Sequence, residues 1–550
     1  MKSKLSALAA HAILQLLFMP LSALMAQPVV RGVLNAANGD STQIAQGSFM
    51  SIYGQNLGQT AGPVSAYPIP TTLGGAQVTV AAGGKNYKAY LDYVSSGQIN
   101  AIMPSAVPAG EAQLTVTVNN MTSTPARITV AANSFGIFTI NSQTAGLAIA
   151  QNYESPTSVP LNLYTNPARP GQTIILWGTG LGPLASGTDD KPPQAGNIVT
   201  SAKVLLNGTE ITPDYAGRAP GIAGVDQINF TIPADTQIPD GCSLYLQVSV
   251  GGMTQNGSAT IAKSSNGAVC QHPFGLTSDQ LNKLQFGATM QAAVAILDRG
   301  ISSLGPGFNL VAENGAFYAQ KFTANGSPLT NQGFPWALAQ SPGACTVIHT
   351  DGSGMATDFV DYLNVNDTSG ATALDAGKIT LSGPGGNFDL TFAQATLFNG
   401  MTPQTAGLID GNWTLAGAGG HDVAAFSVPF TLGNQFNVPN FPSKITRGQP
   451  LTVSWAGGGA SDMVRIEING IVFSGNVAAL VCTANTKDGS FTIPASFTQQ
   501  LDSSPAGGVM GVYDFATLAR FNAPLPAGGK MDAGLIDLII GAASTTVFIQ

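Results

Sequence analysis

The sequence predicts an all-β protein: tandem β-sandwiches followed by a larger β-sandwich region. Three observations predict it. Short runs alternate apolar and polar residues, as in Ala76-Gln77-Val78-Thr79-Val80 and at 112–118, 244–250 and 451–455; such period-two alternation, broken by turn residues, marks half-buried antiparallel strands. Glycine and proline, 66 and 34 of 550 residues, punctuate these runs. Sustained helical periodicity is nearly absent, and the best helix candidate runs from Thr277 to about Gln285, with Thr277 or Ser278 as cap and Leu281 and Leu284 on one face.

Only 9% of the residues are charged, against about 25% in a typical soluble domain. With 21 basic and 29 acidic residues the chain lacks the electrostatic footprint of a nucleic-acid binder. The 44% hydrophobic content fills sizeable cores, so disorder is excluded and three or four domains are expected.

At the amino terminus Lys2 and Lys4 precede an apolar stretch over 5–26. This reads as a cleavable secretory signal, 1–26, processed near Ala26. The other long apolar stretch, 534–550, carries Asp537 and no basic flank, and is expected to be a buried terminal strand. No transmembrane segment is expected after signal removal, and the location is secreted or cell-surface.

An internal repeat organises the first half. Residues 46–58 read QGSFMSIYGQNLG and residues 170–182 read PGQTIILWGTGLG; seven positions separate the matched pairs Gly47/Gly54 and Gly171/Gly178. Further on, Gly97-Gln98-Ile99-Asn100 corresponds to Asp226-Gln227-Ile228-Asn229, each strand ending in proline. Two homologous modules follow, 28–135 and 136–265. Gln98 with Asn100 and Gln227 with Asn229 lie at i and i+2 on one strand face, and their amides are expected to satisfy backbone groups of a neighbouring loop. The glycines of 178–182 lack the Lys-Ser/Thr and following helix of a phosphate loop, so a tight turn is expected there.

The strand led by glycine, the aromatic-Gly-x-x-Leu-Gly turn and the Gln-Ile-Asn strand resemble the TIG-like, immunoglobulin-fold modules of the Solibacter uncharacterised C-terminal domain family. Residues 166–171 (NPARPG) and 215–221 (YAGRAPG) also match that pattern. The resemblance covers roughly 28–265 and implies tandem immunoglobulin-like sandwiches without naming a function. The first copy departs from it: where the second has Tyr215-Ala216-Gly217, the first has Leu91-Asp92-Tyr93-Val94, and no ligand role is assigned to that loop.

The second half has no internal match to the first. A β-rich domain is expected over 266–435 and an immunoglobulin-like β domain over 436–550, opening at Arg447-Gly448-Gln449-Pro450. Four cysteines suit an oxidising compartment, and of three possible connectivities proximity favours Cys242 with Cys270 and Cys345 with Cys482. No Cys-x-x-Cys or Cys/His spacing supports zinc.

Catalytic signatures are missing from the sequence. His272, His349 and His421 are isolated, no Gly-x-Ser-x-Gly elbow or His-Glu-x-x-His is present, and Gly39-Asp40-Ser41 is a three-residue match to an esterase signature. Asp351, Asp358, Asp361 and Asp367 do not match a calcium-loop spacing. No cofactor, metal or catalytic residue is assigned. The expected function is a non-catalytic binding or scaffold protein whose partner is an extracellular glycan or protein; the alternative is a secreted carbohydrate-active enzyme or its accessory module, with acids of the second half doing chemistry.

Overall fold

The computed structural model describes residues 27–140, 145–193, 201–234, 238–254, 258–273, 275–286, 288–305, 308–323, 341–350, 371–391, 395–401, 406–433, 435–470 and 477–550. The expected signal segment and the four aspartates between 351 and 367 lie outside them.

The chain is all-β, as the alternation predicts. In the first module β1 (Val29–Asn35), β2 (Phe49–Gln55), β3 (Tyr90–Val94) and β4 (Gln98–Ile102) form a sheet in the order β1-β2-β4-β3. A second sheet, built mainly on Ala76–Ala82 and Gly110–Val118, packs against it; Val78, Val80, Leu114 and Val116 meet Met50, Ile52 and Ile99 in one core. Alternate residues of Ala76–Ala82 are buried throughout, which is why that strand was readable from its sequence.

The second module repeats the plan. Here β5 (Gly136–Ile137), β6 (Ala150–Asn152), β7 (Thr173–Thr179), β8 (Tyr215–Arg218) and β9 (Asp226–Thr231) make the corresponding sheet, with β7 and β9 central. The repeated glycine has a steric reason in both copies. A Cβ on Gly54 would stand 1.9 Å from the Val29 carbonyl oxygen, and one on Gly178 2.3 Å from the Phe135 ring, so only glycine admits the adjoining chain.

The facing sheet of this module contains β10 (Gly241–Val250), nearly all of which is buried, because the rest of the chain covers its outer side. Tyr245 donates to the Val347 carbonyl at 3.0 Å and stacks on Phe497 with ring centroids 6.4 Å apart. Asn207 accepts from the Cys345 N–H and donates to the Gly343 carbonyl. The opposite sheet, with β7 and β9 central, leaves Ile175, Trp177, Gln227 and Asn229 half-buried on its outer face.

In the second half, α1 (Ser278–Gln285) forms where expected; of the two candidate caps Thr277 is the one used, in a capping box with Gln280. The strands β11 (Thr289–Gly305), β12 (Phe308–Thr323), β13 (Cys345–Thr350), β14 (Met463–Gly470), β15 (Val477–Asn485), β16 (Ser504–Arg520) and β17 (Ala533–Ile549) share one sheet in the order β13-β15-β14-β16-β17-β11-β12. The expected division at 435/436 is therefore corrected: residues 292–300 pair in parallel with 533–541, so strands from both sides of that boundary make one sheet. Leu451–Ser454, expected to open a separate unit, pairs only with Ser490–Ile493. A four-stranded sheet, Ile379–Gly383, Gly386–Leu390, Gly411–Gly417 and Phe426–Leu432, shares a core with the large one through Trp413, Leu415, Leu297 and Phe317. The terminal apolar stretch is β17, a central strand, as expected.

Both cysteine pairs are bonded as expected, Cys242 to Cys270 and Cys345 to Cys482. No helix among the described residues is long and apolar enough to cross a membrane.

Two of the carboxyls buried in this half, Asp514 and Asp537, are shifted far from the usual carboxylate range. Asp537 on β17 is 2% exposed and accepts from the Thr517 hydroxyl at 2.8 Å; Asp514 on β16 is fully buried and accepts from the Thr486 hydroxyl at 2.6 Å. Burial pushes each pKa up to about 7. Between the unfolded value near 3.8 and that folded value the native state holds the extra proton, so this stability is full in acid and is lost as pH rises through 7. Asp537→Asn removes one share of that loss, worth about 1.4 kcal/mol per pH unit inside the window. The variant is expected to match wild type in thermal melts at pH 4 and to exceed it at pH 8; equal differences at both values would contradict the assignment.

Candidate functional site

The outer face of the β7–β9 sheet gathers the polar and aromatic residues of the repeat. Ile174, Leu176, Ile228 and Phe230 point into the core, so their neighbours Ile175, Trp177, Gln227 and Asn229 point out, each half-buried. Trp177 stands opposite Gln227, and Asn229 lies between Ile175 and Tyr215.

Local hydrogen bonds fix these side chains. The Trp177 indole donates to Gln151 Oε1 at 2.9 Å. Gln227 Nε2 donates to Asn229 Oδ1 at 2.9 Å. The Tyr215 hydroxyl donates to the Arg218 carbonyl at 2.6 Å, so its ring reaches along β8 past Gly217, which has no side chain to block it. Burial, then the charge of Asp226, pushes the Tyr215 phenol up, with Arg218 opposing, and it stays a protonated donor. A Gln–Asn amide bond uses one group of each side chain; whichever way the amides are turned, one donor group and one acceptor face solvent.

The first module carries the counterpart. Tyr53, 42% exposed, stands opposite Gln98, and Asn100 lies between Ser51 and Tyr93. Gln98 Nε2 donates to Asn100 Oδ1 at 2.7 Å, and the Ser51 hydroxyl donates to the same oxygen at 3.1 Å. The sequence departure at 91–94 is a β-bulge between Leu91 and Tyr93. It brings Tyr93 to the register position that Tyr215 holds in the second module.

The expected role of Gln98, Asn100, Gln227 and Asn229 is thereby corrected. Their amides bond to one another on an outer face rather than to the backbone of a buried loop. The isoleucine between each pair is the core residue, and the pattern polar-Ile-polar carried that signal. The sequence reading also missed the aromatic partners, Tyr53 with Tyr93 and Trp177 with Tyr215, although Tyr53 and Trp177 occupy matched repeat positions.

The glycine segment at 178–182 binds an internal anion. The Leu181 N–H donates to Asp226 Oδ2 at 2.7 Å, and Arg218 pairs with Asp226 Oδ1 at 2.7 Å. The tight interstrand turn expected there is corrected: β7 ends at Thr179, Leu181 makes only a bend, and the next strand among the described residues begins at Lys203, because Asp226 and Arg218 hold the segment as the start of a longer loop. The Asp40 carboxylate of Gly39-Asp40-Ser41 accepts from the Thr42 N–H and hydroxyl, which makes a local turn. His421 is exposed beside Asp422 at 2.8 Å, and that carboxylate holds its pKa up. Among the described residues no group of three His, Cys, Asp or Glu side chains is placed to hold a metal ion.

No family model matches the chain, and no curated protein matches it. Solved structures give distant likenesses. SGBP-B of the Bacteroides ovatus mixed-linkage glucan utilization locus, in complex with a mixed-linkage heptasaccharide, aligns at 13% identity over 89% of this chain and 95% of that chain, with a TM-score of 0.13. SGBP-B from a complex xyloglucan utilization locus in Bacteroides uniformis aligns at 15% identity over 54% and 67%, with a TM-score of 0.15. Domains 4–9 of the surface layer protein SbsC align at 10% identity over 94% and 65%, with a TM-score of 0.18.

Proposed function

We propose that this is a secreted or cell-surface, non-catalytic protein that binds neutral glycan on the outer faces of its first two modules. The observation that carries the reading is the repeated constellation of a half-exposed aromatic ring, a bonded Gln–Asn pair and a tyrosine, present on β2–β4–β3 and again on β7–β9–β8. A sugar ring offers an apolar face of C–H groups edged by hydroxyls. An aromatic plane receives that face, and an amide pair with one free donor group and one free acceptor reads neighbouring hydroxyls. Trp177, Tyr215 and both Gln–Asn pairs are held by protein hydrogen bonds before any ligand arrives, which lowers the ordering cost of binding. The two disulfides suit an oxidising exterior.

The test is affinity electrophoresis of the full chain in gels containing soluble β-glucan, xylan or mannan. Trp177→Ala is expected to weaken binding about 30-fold, the scale of an aromatic hot spot. Asn229→Ala is expected to weaken it less and to leave the melting temperature within 1–2 °C, roughly what a surface substitution costs. Unchanged retardation in both variants, or reducing ends released from any of the three polymers, would overturn the reading.

A further inference from the structure

The two platforms meet end to end. Phe49, the first residue of β2, donates its N–H to the hydroxyl of Thr179, the last residue of β7, at 2.8 Å. Ile102 ends β4, and a Cβ on Gly224, just before β9, would stand 2.8 Å from its side chain. So the end of β7 abuts the start of β2, and the end of β4 abuts the approach to β9.

Tyr53 opposite Gln98 and Trp177 opposite Gln227 share one register in the two central pairs. For L-residues, direction, register and the side on which the partner strand lies together fix which face a side chain takes. The register agrees in the two modules and the central pairs abut strand for strand, so the platforms are corresponding faces of two abutting sheets. From Trp177 to Thr179 and from Phe49 to Tyr53 the strands advance six residues, so the path from one ring to the other is roughly 25 Å at ~3.3 Å per residue with the junction included.

The junction is held rather than hinged. The Asp189 carboxylate takes the Ser105 N–H at 2.7 Å and its hydroxyl at 2.6 Å, and the Ser105 hydroxyl takes the Leu184 N–H at 2.9 Å. Ile69, Ile102 and Ala223 form an apolar seam. Tyr67 and Ile222, 46% and 41% exposed, stand beside it, with the Tyr67 hydroxyl between the Gly221 carbonyl and the Ala223 N–H.

We infer that the two platforms form a single elongated site for one extended, uncharged polysaccharide chain that spans both modules. This rests on the reading that each platform binds glycan. A site repeated by translation matches a ligand that repeats by translation, as a linear polymer does and a folded protein surface does not. The side chains named on the platforms are all uncharged, and the chain's net charge of −8 disfavours anionic polymers. Two platforms in fixed register convert the second contact into an intramolecular one, which raises affinity by 10–100-fold or more once the ligand is long enough.

The experiment is calorimetric titration of the full chain with size-defined oligomers, two to ten sugars long, of the polymer that retards it most. Affinity is expected to step up at least ~10-fold at a threshold length rather than rise smoothly. Tyr53→Ala and Trp177→Ala are each expected to abolish the step while leaving the short-oligomer affinity of the other platform. Ser105→Ala with Asp189→Ala, which loosens the junction without touching either platform, is expected to lower the step alone. Binding at all lengths with no step, or a step that survives Tyr53→Ala, would overturn the single-chain site and leave two separate glycan sites. No binding of any oligomer, with capture of a protein partner by the same face instead, would overturn the underlying reading as well.

Discussion

Replacing Cys345 and Cys482 with alanine is expected to lower the unfolding free energy by about 5 kcal/mol, the chain-entropy value for a loop of this size. The two cysteines are 137 residues apart in sequence and sit directly opposite one another on β13 and β15, with Cα atoms 4.1 Å apart. Both are fully buried. β13 is the edge strand of the large sheet, paired on one side only by β15, so the bond ties a nonlocal edge that its hydrogen bonds alone hold less firmly. The consequence reaches the second module, because Asn207 grips the backbone at Gly343 and Cys345. The Cys242–Cys270 bond closes a separation of only 28 residues and is expected to contribute about 3–4 kcal/mol on the same model. Scanning calorimetry of the two double variants checks the order, with amide exchange over 345–350 as a local readout. A loss below 1 kcal/mol for the Cys345/Cys482 variant, or unaltered exchange in β13, would contradict this account.

What was legible in the sequence follows the range over which each feature is decided. The helix at Ser278–Gln285 is decided by residues three and four apart, and its cap and apolar face were readable. Where a strand of the first two modules is half-buried, as Ala76–Ala82 is, its alternation showed both its existence and its inner face. The cysteine pairs followed from proximity and domain order. The large sheet was not legible, for two reasons. Its long strands are buried on both faces, as the runs Ala292–Leu297 and Leu535–Ile540 show, which erases the alternation. Its pairings are also nonlocal: β11 lies beside β17, some 240 residues later in the chain, and side-chain period names a face but never a partner. The platform residues were visible as a motif and misread in role. Spacing put Gln227 and Asn229 on one face, but only the pairing of Trp177 with Gln227 and of Tyr215 with Asn229 shows that the face is an aromatic one.

Arg218→Met is expected to cost 3–5 kcal/mol, the usual loss when a buried ion pair is broken from one side. Arg218 and Asp226 have side chains 3% and 1% exposed and lie 2.7 Å apart, and the second guanidinium nitrogen donates to the Gly182 carbonyl at 2.7 Å. This pair belongs to one copy of the repeat only, since Gly97 occupies the position of Asp226 in the first module. It stands where the first module lands: a Cβ on Gly47 would come within 2.5 Å of the Arg218 guanidinium. Burial is the largest influence on Asp226 and pushes its pKa up; Arg218 opposes it first, followed by the N–H groups of Leu181 and Gly180. Removing Arg218 leaves burial opposed by backbone donors alone, so in the variant the carboxyl rises further and is held protonated. A raised carboxyl stabilises the fold in acid and loses that contribution as pH rises through its folded pKa. The Arg218→Met penalty is therefore expected to be large at pH 8 and to shrink toward pH 5, and Asp226→Asn added to it is expected to recover stability at pH 8 but not at pH 5. Melting curves of the two variants at both pH values decide this. A penalty independent of pH would mean that the guanidinium acts through packing alone, and the junction would then owe its rigidity to Ser105 and Asp189 rather than to a buried charge.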